Sequence, residues 1–307
     1  MTYSSGGLIQ ASDFNSIVGS TTGSGATINQ IWTTGSNDCG YGQSAVATVA
    51  SSNIIYASDW ASMINTLNNI KNHQSGSGSG ISAPTAGSVN YYLPTLSSAL
   101  SGVYSNRLAK NSTGSTGSAA WSDSITSTGY LTTATLNMTR TFTFGNVDQA
   151  RYFFNAGGKI GFNVISAYDN IGNTSGGDLV TLAYTNFNNM YIMARSGSGI
   201  GGTGGTVSVN RTDVGYYNLG TSYTTLATIN DSVSYYSGEY AQFDVKTDGS
   251  AGSNSGNGYQ ITMNLKIYSP GRNDVWQPLN VTFNYTTNVV YPETTYLGAS
   301  WGTVTLG

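Results

Sequence analysis

Charge is what this chain has least of. Only 8% of its 307 residues are Asp, Glu, Lys or Arg, against about a quarter in an ordinary globular protein. Solubility therefore falls to Ser, Thr, Asn, Gly and Tyr. Histidine occurs once, as His73, and cysteine once, as Cys39. A single thiol excludes an internal disulfide framework and a thiolate metal site, and Cys39 reads as a small packing residue. A Ser-His-Asp or Cys-His site would have to be built on His73. That residue falls in the last turn of an expected helix, where a cation suits the helix C-terminus, and neither site is expected. The net charge of −3 comes with no cluster of Lys and Arg, which argues against nucleic acid as a partner. No apolar run is long enough to span a bilayer, and the first residues lack a basic-then-apolar leader. No membrane partner is expected. Glu239 and Glu293 are the two glutamates, and most aspartates sit beside Gly, Asn or Ser, where Asp makes turns. No carboxylate pair is marked by spacing for glycoside cleavage. The chain is not expected to be an enzyme or to hold a cofactor or metal.

What is present begins with a repeat. Ile9-Gln10-Ala11-Ser12-Asp13-Phe14-Asn15-Ser16-Ile17-Val18 returns as Ile55-Tyr56-Ala57-Ser58-Asp59-Trp60-Ala61-Ser62-Met63-Ile64, and internal repetition outranks other signals. Each copy reads as a helix start, with Ser12 or Ser58 at the N-cap and the following Asp in the first turn. In the second copy the apolar series Trp60, Met63, Ile64, Leu67, Ile70 predicts a helix over about 59–73. The first copy stops at Gly19 after Phe14, Ile17 and Val18. Between them Ile28, Ile31 and Trp32 fit a short helix, the stretch Cys39-Gly40-Tyr41-Gly42-Gln43 is a turn, and Val46-Ala47-Thr48-Val49 reads as a short strand or bend. Residues 1–75 thus form a small helical module. A core of that size is marginal, so Phe14, Ile17, Trp32, Tyr41, Trp60, Met63 and Leu67 are expected to anchor it to a partner surface or to other copies.

Residues 76–120 read as a Gly/Ser-rich linker and extended connector, opened by the run 74–80 and carrying a short helix around 96–108. From residue 121 to 307 the period changes to two. Leu136, Met138, Arg140, Phe142 and Phe144 alternate, as do Ile160, Phe162 and Val164, then Tyr259, Ile261, Met263, Leu265 and Ile267, then Val281, Phe283 and Tyr285. One wet face and one buried face describe antiparallel strands of a β-sandwich. The fold expected is mainly β: an antiparallel β-sandwich C-terminal domain with a small helical N-terminal module. The run 148–159 starts as a single helical turn, and its three adjacent aromatics, Tyr152, Phe153 and Phe154, cannot all face one way. The tyrosine pairs Tyr91-Tyr92, Tyr216-Tyr217 and Tyr235-Tyr236 combine apolar area with a hydroxyl. Tyr216, Tyr217, Tyr235 and Tyr236 are taken as candidate surface-binding residues for a host-surface glycan.

The repeated Ile-x-Ala-Ser-Asp-aromatic element, Gly40-Tyr41-Gly42-Gln43, His73-Gln74-Ser75-Gly76 and Ala150-Arg151-Tyr152-Phe153-Phe154-Asn155-Ala156-Gly157-Gly158 together resemble the virion structural proteins of tailed phages, those of cyanophages and marine phages above all. The resemblance implies a virion component of fibre, neck, tail or decoration type, with other virion proteins as partners. It carries over no ligand and no catalytic residue. A fibre or appendage subunit anchored to the neck or tail through residues 1–75 is the expectation, with a capsid decoration protein or a host-surface glycan-binding tip as alternatives. Such a subunit is expected to be a homo-oligomer, and its β unit to fold without residues 1–75.

Overall fold

The computed structural model describes residues 10–85, 93–111, 116–129, 133–169, 174–232, 238–249, 258–270 and 279–307. Its helices are α1 (Ala11–Val18), α2 (Ile28–Trp32), α3 (Ala57–Ser75), α4 (Leu93–Ser105), α5 (Val147–Asn155) and α6 (Thr174–Asn186). Its strands are β1 (Thr116–Gly129), β2 (Ala134–Thr143), β3 (Lys159–Asp169), β4 (Met190–Ile192), β5 (Gly205–Asn210), β6 (Thr224–Asp231), β7 (Tyr240–Thr247), β8 (Gln260–Ser269), β9 (Leu279–Val290) and β10 (Thr305–Leu306). The molecule is mainly β, with two antiparallel sheets and a few helices, as the alternation predicts.

One sheet runs β1-β9-β3-β4 and the other β10-β2-β8-β7-β6-β5. The chain crosses between them repeatedly, so strands adjacent in sequence, such as β1 and β2 or β2 and β3, lie in different sheets. Consecutive strands are neighbours only from β5 to β8 and at β3 and β4 among the described residues. The inner rows meet through aromatics: the Phe162 ring, stacked 5.1 Å from Tyr285 in its own sheet, lies 5.8 Å from Phe243 of the other. Helix α6 was not expected. Its Leu179, Leu182 and Ala183, with Phe187 just beyond, are buried, and it touches β3 and β9 of one sheet and β6 and β7 of the other. Arg140 holds an inward position of β2, where its guanidinium lies 5.2 Å over the Tyr285 ring.

The two copies of the repeat pack on each other. Phe14 and Trp60, equivalent positions in the two copies, meet edge to face at 5.4 Å. Their helices start two residues earlier than the Ser N-cap reading places them. Gln10 and Tyr56 are the cap residues, and Asp13 and Asp59 accept their backbone N–H groups at 3.0 and 2.8 Å. A carboxylate three residues into the helix satisfies a donor that the helix leaves orphaned. The segment Val46-Ala47-Thr48-Val49 is neither strand nor helix. Its backbone is held by amides: Asn29 accepts from Val46 N–H at 2.9 Å and donates to Val46 carbonyl at 2.9 Å. Asn15 does the same to Val49, at 2.9 and 2.7 Å.

Two boundaries expected from composition are not found. The Gly/Ser run is folded back on α3: Gln74 is buried, and Ser79 donates through both its N–H and its hydroxyl to Asn68 Oδ1. Ile81 beyond it is buried too. The helical module, α4 and the sandwich share one continuous cluster of buried residues, from Phe14 to Val304. Apolar side chains on both sides of a short polar run gain more by meeting than the run loses by being ordered.

Candidate functional site

The loop between α2 and residue 43 is where distant parts of the chain converge. Gly40 and Gly42 both take positive φ, 97° and 73°, which a side chain would resist. A Cβ at Gly40 would collide with the Thr34 carbonyl, and one at Gly42 with the Tyr152 ring. The fold of the loop on itself therefore depends on glycine at 40, and the close approach of α5 on glycine at 42.

From α5, Arg151 reaches into the loop, 1% exposed. Its guanidinium donates to the carbonyls of Thr34 (2.7 Å), Asn37 (2.9 Å) and Cys39 (3.2 Å) and to Asp148 (3.2 Å). One turn on, Asn155 donates to the Cys39 and Gly40 carbonyls at 3.1 and 3.0 Å. A buried guanidinium is tolerable only when its fork of donors is matched in this way. Asp38, also buried, receives two more arginines. Arg107, just past α4, donates at 2.9 and 2.7 Å, and Arg195, just past β4, at 2.9 and 2.7 Å. Burial alone would raise the Asp38 pKa, but the two guanidiniums outweigh it and hold the carboxyl below its ordinary value. The same burial pushes the Cys39 thiol up to about 11, so it is a packing residue and not a nucleophile at neutral pH.

The aromatic of the turn closes the other side. Tyr41 is fully buried, donates its hydroxyl to the Arg107 carbonyl at 2.7 Å and accepts from Gln74 at 3.0 Å. Its ring meets His73 edge on at 5.3 Å. His73 is 1% exposed, and its Nδ1 lies 3.0 Å from Glu293 Oε1. Gln43 completes the arrangement, exchanging hydrogen bonds with Gly298 at 2.9 and 2.8 Å and donating to Ser300 at 3.0 Å.

Of the expected anchoring residues, Phe14, Ile17, Tyr41, Trp60, Met63 and Leu67 are all buried within the chain's own core, and Trp32 is partly buried against it. They do not form a surface for a partner. Their apolar area is already removed from water by the other copy of the repeat, by α4 and by the loop. The surface reading of Tyr216 and Tyr217 is likewise corrected. Tyr216 is fully buried, stacked on Phe154 at 4.5 Å, with its hydroxyl donating to Gly258 carbonyl. Tyr217 turns its hydroxyl inward, 2.7 Å from the Asn37 carbonyl and 2.9 Å from Asn155 Oδ1. Tyr235 and Tyr236, like Tyr91 and Tyr92, lie outside the described residues. Other tyrosines face outward: Tyr56, Tyr168, Tyr184, Tyr259 and, beside Lys246, Tyr223 are exposed, and the partly exposed Tyr240 and Tyr268 stack at 4.9 Å across β7 and β8 with the Lys266 ammonium over both rings.

Asp38, Arg107, Arg151, Arg195 and Asn155 are scattered over the sequence, and no spacing marks them as a set. In a chain with 11 Lys and Arg, an arginine between alanine and three aromatics is the signal that marks Arg151. Among the described residues no three His, Cys, Asp or Glu side chains are grouped to hold a metal ion, and no helix is long and apolar enough to cross a membrane. The chain matches no protein-family model, no curated protein and no solved structure.

Proposed function

We propose that this chain is a structural component of a tailed-phage virion, a fibre or appendage subunit of the neck or tail that is present in several copies. The sequence resemblance supplies the class, and one observation supports a structural role for the motifs behind it. Stretches separated by more than a hundred residues lock into a single knot: Phe14 on Trp60, Tyr41 on His73 and Gln74, Gly42 against Tyr152, Arg151 and Asn155 on the Cys39 and Gly40 carbonyls. In this knot Arg151 and Asn155 hold backbone carbonyls in place, and Asp38 ties Arg107 to Arg195. That use suits a rigid building block, since each such bond ties together segments that would otherwise move separately.

Antibody labelling of intact particles in electron microscopy tests the reading. Label at the neck or tail is the expected result. Label spread over the capsid would make the chain a decoration protein, and unlabelled particles from a lysate that contains the chain would overturn the reading.

A further inference from the structure

We draw no further inference here: the strongest candidate, the outward face of the six-stranded sheet where Tyr240 and Tyr268 stack with the Lys266 ammonium over both rings and Tyr223 lies beside Lys246, carries nothing because no feature of the structure shows what covers it.

Discussion

His73 is the one side chain that titrates near neutrality, and its surroundings give that titration a direction. Burial pushes its pKa below the ordinary 6.5, and Lys110 adds to the depression. The Glu293 carboxylate and the backbone of Ala156 pull the other way without overcoming it. Burial would raise Glu293, but the hydrogen bonds from His73 and Thr295 outweigh it and hold the carboxylate below its ordinary 4.5. Both folded values lie below the unfolded ones, so in both cases the unfolded chain takes up protons first. The stabilisation is complete above 6.5, falls as pH drops below 6.5 on account of His73, and falls again below 4.5 on account of Glu293. Thermal unfolding followed between pH 7 and pH 5 is expected to show a declining melting temperature. In His73→Gln the decline over that interval should flatten whatever the change in absolute stability. An unchanged slope would assign the pH dependence elsewhere.

At the scale of elements, side-chain amides act as the missing strand. Among the described residues no strand pairs with the backbone of Val46 and Val49, and Asn29 of α2 and Asn15 of α1 take the place of one. Asn29 is buried and also donates to the Gly19 carbonyl at 3.2 Å, so Asn29→Ala leaves a buried N–H and two carbonyls without their partner. The expected loss is about 2–3 kcal/mol, because an unmet buried group costs its full desolvation. Asn15 serves a part-buried segment, where water substitutes, and Asn15→Ala is expected to cost about 1 kcal/mol. Urea unfolding of the two variants gives the order, and equal losses would show that the Val46 segment relaxes to find water.

At the scale of the whole molecule, the knot around Asp38 makes residues 1–75 inseparable from the sandwich. Removing them would strip Arg151 of the Thr34, Asn37 and Cys39 carbonyls and Asn155 of the Cys39 and Gly40 carbonyls. The removal would also open to water the sandwich side of a buried cluster that runs from Phe14 to Val304, at about 25 cal/mol for each Å² of apolar surface uncovered. The truncated chain beginning at residue 76 is therefore expected to lose fixed tertiary packing, against the expectation from composition that the β unit folds alone. Near-ultraviolet circular dichroism and the cooperativity of its melting check this, and a sharp transition with native aromatic signal would show that the sandwich stands without the loop.

The parts of this protein that depend on local periodicity were legible in the chain itself. The two-residue alternation of Ile261 to Ile267 and of Val281 to Tyr285 marks strands because a pleated backbone turns alternate side chains to one face. The Trp60 to Ile70 spacing marks α3 for the corresponding reason, and the repeat announces α1. Helix α6 was legible in principle, since Leu179, Leu182, Ala183 and Phe187 follow a helical spacing, but the glycines and threonines around them hide it. What the chain alone does not carry is which buried faces meet. Phe14 and Trp60 look as ready to dock on a foreign surface as on each other, and the run from Gln74 to Gly80 looks like a spacer when it is a return. Those outcomes depend on long-range packing, where the apolar area and hydrogen-bond partners offered by residues a hundred positions away decide between arrangements that are locally equivalent. Only the tertiary structure brings Arg107, Arg151 and Arg195 to one loop.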